Sequence, residues 1–420
     1  MRDDRFDSQD AADLSWSRVE ADLHRYVRYG DKRAGGPGDV VCGNWLAGEL
    51  DELGYQVERQ DFSAPFFDPV RADLSNGTAV AHVHPQPIVI GTGEAGVSGR
   101  LVRVDQTARF AGAMDGAIAL VDLPHARWSS IMNKAARAPV DAAFAAGARA
   151  AVLITNGPTG KLIALNADGR QPMFPGPVAL LAPDHAGDFL ASAIRGDHAT
   201  LTVTGEGGHR TAFNFVGRLD RGKGRWIVVS TPRSGWFVCA AERGPGVAAW
   251  LDLARWARNS LAGYNLAFIC NTGHEYEYLG AAEAMKQIAP PPTATRFWLH
   301  LGANVAATDW HSIVDLSPLP NVDSQRYLSI TPALLPLARA IFAGQPGYEA
   351  PVSSDILSAG ELDEVISAGF SPAAGVFGIH LHHHGAGDDE RCLHVPATVS
   401  AIQGFRRLLV AIARDEEGCS

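Results

Sequence analysis

The chain has 420 residues, of which 46% are hydrophobic, with 44 Gly and 25 Pro, the make-up of a globular protein with a large core and many turns. A net charge of −10, with both signs spread along the chain, leaves no basic stripe for a phosphate backbone and argues against nucleic acid as a partner. Five widely spaced cysteines without a CxxC pair suggest neither a disulfide framework nor a Cys-rich zinc site. The N-terminal MRDDRFDSQDAADLSW is charged and lacks the apolar core of a secretion signal, and no later stretch reaches the roughly 18 apolar residues of a membrane span. A cytoplasmic protein with no membrane partner is expected, and a homo-oligomer stays open.

Residues 12 to 54 predict helix with one interruption, since apolar residues recur at helical spacing through Leu14, Val19, Leu23 and Val27, then through Trp45, Leu46, Leu50 and Leu53. The loop DKRAGGPGD breaks the run, Gly54 ends it, and YQVERQDF alternates as a strand does. From 88 to 206 the texture changes to short apolar strands (AIALVDL, AAVLITN, PVALLAP, ATLTVTG) with one helical run, AAFAAGA. This predicts a smaller β-rich inserted domain that is entered and left through loops and lies over the cleft of the main domain. Beyond it, RWIVVST, NLAFICN and RFWLHLGA alternate with helices, the pattern of a mostly parallel mixed sheet covered on both faces. The expected organisation is α/β, with residues 1–87 and 207–420 forming the main domain and 88–206 the insert.

Two stretches carry chemistry. GHEYE, between an apolar strand and a helix, sets His274 beside Glu275 where the carboxyl ends of a parallel sheet form ligand crevices. HLHHHGAGDDERCLH supplies His380, His382, His383, His384 and His394, enough imidazole for a transition metal, without choosing among them.

The opening HRYVRYGDKRAGGPGDVVCGNWLAGELDELGYQVERQDF, the strand RWIVVST, the helix start AERGPGVAAWLDLAR, FICNTGHEYEYLGA and the late HHHGAGDD resemble, in that order, the landmarks of the zinc-dependent aminopeptidase and glutaminyl cyclase superfamily. The intervening GAIALVDL and AAGARAAVLITN resemble its protease-associated insert. In such enzymes a His-x-Asp motif, an Asp at the next helix start, a Glu-Glu pair, a later Asp and a final His hold two zinc ions. The resemblance places Pro232-Arg233-Ser234 on the first motif and Gly302 on the later Asp, so one metal site has lost its own ligands. It places Glu242 on the bridging carboxylate, Glu275 on the second Glu of the pair and His384 on the final His, with His383 as the alternative one residue away. One Zn2+ per chain is implied, as in glutaminyl cyclases of this superfamily.

His274 falls on the general-base position. Arg243 follows Glu242 and either supplies charge that the missing ion no longer provides or forms an ordinary salt bridge. Ser234 is a candidate hydrogen-bond donor to substrate, and Trp236, Phe237, Tyr276 and Trp310 are candidate pocket walls. The expectation is a mononuclear metal-dependent hydrolase acting on a small amide- or carbonyl-containing molecule, with catalytic roles for His274, Arg243 and Ser234. A lyase or isomerase using the same residues, and a metal-free pseudopeptidase acting as a binding protein, are the competing readings.

Overall fold

A computed structural model describes residues 14–313 and 315–414. The charged N-terminal stretch before Leu14 and Cys419 lie outside the described residues. Among these, the other four cysteines are free and buried, and no helix is long and apolar enough to cross a membrane.

The strands Trp226–Pro232, Asn265–Asn271, Thr295–Leu301 and Ala373–Gly378 run parallel to one another at the centre of a mixed sheet. Their residues alternate between two cores, as a period of two demands. Ile227, Val229, Phe268 and Leu299 face the helices Trp16–Arg28, Ala240–Ser260 and Val395–Arg414, whereas Val228, Ile269 and Trp298 face Leu279–Gln287 and Glu361–Ser367. Helices thus cover both faces, which is why these strands read as continuous apolar runs.

The sheet does not stop at the insert. Strands Gln56–Ser75 and His198–Leu219 pair antiparallel from Gln56↔Arg218 to Ser75↔Thr200, and this ladder carries hydrogen bonding from the main sheet into the strands of the insert, giving one 13-stranded order. The expected loop crossings are therefore corrected to a two-stranded ribbon. Prolines 65 and 69 obscured it in the sequence. They are tolerated because that part of the strand pairs on one side only, with a register shift between Pro69 and Arg71.

Within the insert, Ala119, Val121 and Leu153 pack toward helix Lys134–Ala145, while Ile118, Leu120 and Val152 pack toward helix Gly187–Arg195. The second helix, nine residues long, was not expected. A separate pair, Thr308–His311 with Ser317–Val322, forms a small two-stranded sheet.

Candidate active site

Because the four central strands are parallel, their carboxyl ends lie along one edge, and the segments that follow them carry Ser234, Glu242, Arg243, His274, Glu275, His383 and His384. Six non-glycine residues with left-handed backbone, Phe237, Cys239, Glu277, Tyr278, Asn304 and His384, fall in these segments. Such strain persists only where the surroundings over-determine it.

Glu242 sits in the first turn of helix Ala240–Ser260. Asp388 fixes this helix end to the histidine loop by accepting hydrogen bonds from the N–H groups of Ala241 (2.8 Å) and Glu242 (3.0 Å). The ligand atoms of Glu242, His383 and His384 then lie within 4.8 Å of one another, all buried. His384 Nδ1 is 3.0 Å from the Ala164 carbonyl oxygen, which can only accept, so Nδ1 carries the proton. A neutral ring then turns its Nε2 lone pair toward Glu242 Oε1, 3.3 Å away, a repulsive arrangement unless a cation or proton lies between. Donors around a tetrahedral zinc ion are roughly 3.3–3.5 Å apart. His383 Nδ1 is 4.0 Å from Glu242 Oε2, and neither it nor either Glu242 oxygen has an aligned hydrogen-bond partner. This donor set fits one divalent ion. Burial drives the Glu242 carboxyl upward, but Arg243, His384 and His383 outweigh it and hold the group well below the usual carboxylate range. Burial, helped by His384, keeps His383 neutral, the form that binds metal.

Glu275 stands apart from that group. Its oxygens accept from the Ala34 N–H (2.6 Å) and from the Ser234 hydroxyl (2.8 Å), and burial lifts its pKa to about 7. Ser234 Oγ in turn accepts from the N–H groups of Gly273 (2.7 Å) and His274 (3.3 Å). With its proton given to Glu275 and two donors upon it, Ser234 ties the 273–275 turn to the neighbouring strand end and has no proton left for substrate.

His274, 8% exposed, directs Nδ1 to Glu361 Oε1 at 3.1 Å. Glu361 Oε2 accepts from Asn271 Nδ2 (2.9 Å) and lies 3.9 Å from His300 Nε2. His300 Nδ1 meets Ser230 Oγ at 2.9 Å, and Trp298 Nε1 donates to the same oxygen at 2.7 Å. Burial raises the Glu361 carboxyl, but its contacts with His274 dominate and its pKa falls to about 2. Burial lowers His300 to about 4 and, together with Arg243, lowers His274. Glu361 escaped the sequence reading because GELDEV looks like any helix start with an acidic first turn.

Arg243 is fully buried, with Nε donating to the Ser234 carbonyl at 3.0 Å and Nη2 2.7 Å from Glu242 Oε1. The positions expected to have lost metal ligands offer no free donor. Pro232 ends its strand, the Ser234 hydroxyl is taken up by Glu275 and the N–H groups of Gly273 and His274, and a Cβ on Gly302 would run into the Val376 carbonyl and meet His300 Nε2 at 3.3 Å. A second close group, His380, Asp388 and Cys392, shares the Asp388 that anchors the helix, so it supports the loop. Of the expected pocket walls, Trp236 and Tyr276 line a cleft beside His84 and Phe66. Trp310 lines another with His382 and His383.

This architecture is the fold of the zinc aminopeptidases. Solved structures similar to the chain include a zinc aminopeptidase from Bacillus subtilis (16% identity, 96% of this chain and 95% of that one covered, TM-score 0.72). A peptidase M28 precursor from Shewanella amazonensis is 17% identical over 95% of this chain and 92% of that one, with a TM-score of 0.74. An aminopeptidase from an Aneurinibacillus species is 17% identical, with 93% and 92% covered and a TM-score of 0.64. At these identities the likeness is one of fold. No family model and no curated sequence matches the chain.

Proposed function

We propose that the protein is a metal-dependent hydrolase of a small amide- or carbonyl-containing substrate, that Glu242, His384 and His383 hold one zinc ion, and that His274 is the general base and acid. The observation that carries this reading is the His384 ring, pinned through Nδ1 to the Ala164 carbonyl with Nε2 turned to Glu242. A bound zinc ion supplies polarisation of a carbonyl or activation of water. The residues around it do the rest.

His274 donates its Nδ1 proton to Glu361, which leaves Nε2 as the basic nitrogen. That nitrogen takes a proton from the attacking water and returns it to the leaving group, while the Glu361 carboxylate, ionised across the physiological range, stabilises the transient imidazolium. The lowered pKa keeps the ring neutral at pH 7 and ready to accept. Ser234 and Glu275 hold the turn on which it rides.

Zinc analysis and single-turnover assays on a panel of small amides test the reading. The expected result is about one ion per chain, and a His274→Ala variant that keeps its ion while losing about 10²-fold to 10⁴-fold in turnover. A variant that loses its zinc would make His274 a ligand, and one that keeps full activity would remove it from the mechanism.

A further inference from the structure

Arg243 has hydrogen-bonding capacity to spare. A guanidinium carries five N–H donors. Here Nε is satisfied by the Ser234 carbonyl, but Nη1 and Nη2 have no aligned partner although both are buried. The close approach of Nη2 to Glu242 Oε1 is one of charge. Glu242 is therefore a carboxylate shared between the Arg243 guanidinium, set against Oε1, and the imidazoles of His384 and His383, ranged about the same carboxylate. The remaining places from which a second ion would draw ligands are occupied by Pro232, by Ser234, whose hydroxyl is engaged by Glu275 and by the N–H groups of Gly273 and His274, and by Gly302, which has no room for a side chain.

We infer that Arg243 is the built-in second cation of this site: it holds the share of Glu242 that a second metal ion would take, and so limits the site to one exchangeable ion. This rests on the reading of Glu242, His383 and His384 as the metal ligands. It has a chemical corollary. A guanidinium is a donor with a fixed positive charge, so a group bound beside Arg243 is favoured if it is an acceptor oxygen and disfavoured if it is an amine, which near pH 7 is largely a like-charged ammonium.

Removing a fixed positive charge that contacts a ligand oxygen should strengthen binding of the exchangeable ion, because like charges repel strongly in a site shielded from water. The test is titration of chelator-stripped protein with Co2+, followed by visible absorption, on wild type, Arg243→Met and Arg243→Lys, with metal analysis after zinc reconstitution and thermal unfolding as the check on folding. One ion per chain is expected for all three, with affinity raised about tenfold or more in Arg243→Met and within about threefold of wild type in Arg243→Lys. Affinity in folded Arg243→Met that is unchanged or lower overturns the inference, as does a second ion in wild type. If Arg243→Met does not fold, Arg243→Gln gives the same comparison and retains a donor for the Ser234 carbonyl. Should wild type bind no ion while the charge-removed variant binds one, the limit of one ion and the metal-dependent activity both fall. Should neither bind, both fall.

Discussion

Glu242 and Glu275 are equally buried carboxylates on the same edge of the sheet, yet their surroundings differ in kind. Glu242 has one guanidinium and two imidazoles about its carboxylate and no aligned hydrogen bond, whereas Glu275 is satisfied by a backbone N–H and a hydroxyl. Glu242→Ala and His384→Ala should therefore abolish zinc binding. Glu275→Gln should keep the ion, because the amide oxygen can still accept from Ala34, and should lower the melting temperature instead. Metal content and thermal unfolding separate these outcomes, and loss of zinc in Glu275→Gln would return that residue to the ligand set. The buried histidines give a second prediction. His84 and His300 are both held near pKa 4, mainly by burial, whereas in the unfolded chain they take up protons near 6.5. A pKa depressed in the folded state means stability that is present above about pH 6.5 and drains away as pH falls toward 4. The melting temperature should drop across that window, less steeply in His84→Gln, and a flat profile would contradict the assignment. Glu242 and His384 were legible because each lies in a recognisable ordered segment. Glu361 was not, since the chain separates it from His274 by two helices and several strands and its partnership exists only in space.

At the scale of elements, the buried parallel strands were readable because a sheet covered on both faces needs unbroken apolar runs. The ribbon Gln56–Ser75 was read only as far as residue 62, because Pro65 and Pro69 signal breaks unless the strand is known to be unpaired on one side. Helix Gly187–Arg195 is too short to show a clear period, and its identity depends on Phe189 and Ala193 meeting a sheet face that local sequence does not reveal. Helix Leu279–Gln287 offers a test of how tightly an element positions the site. A Cβ on Gly280 would collide with the Thr272 carbonyl oxygen, a backbone atom that cannot swing aside, at the root of the turn that carries His274. Gly280→Ala should lower the melting temperature by several degrees, as overpacking typically costs about 1–3 kcal/mol. It should also depress turnover while leaving zinc content near wild type, because the proposed ligands ride on other elements. Zinc loss in parallel with turnover would show the two halves of the site to be one mechanical unit.

The molecule as a whole consists of two sets of cores strung on one ribbon. The change of texture at residue 88 was visible in the sequence, but the continuity of the sheet was not, since pairing between distant strands leaves no local trace. Replacing residues 76–197 with a short turn that preserves the ladder to Ser75↔Thr200 should leave the main sheet folded but remove the Ala164 carbonyl from His384. Loss of such an orienting partner typically weakens metal binding about 10-fold to 100-fold, and zinc affinity in a folded deletion variant measures it. Ala164 both donates its N–H to the His384 carbonyl and accepts from the His384 ring, so the insert grips this residue at backbone and side chain together. Binding equilibria are reciprocal: if the insert raises the affinity for the ion, the ion must by the same factor favour the insert in its seated position. Any partner that lifts the segment around Ala164 would then expel metal, and metal would resist that partner, making a two-point contact in the core of the protein a thermodynamic link between its outer lobe and its chemistry.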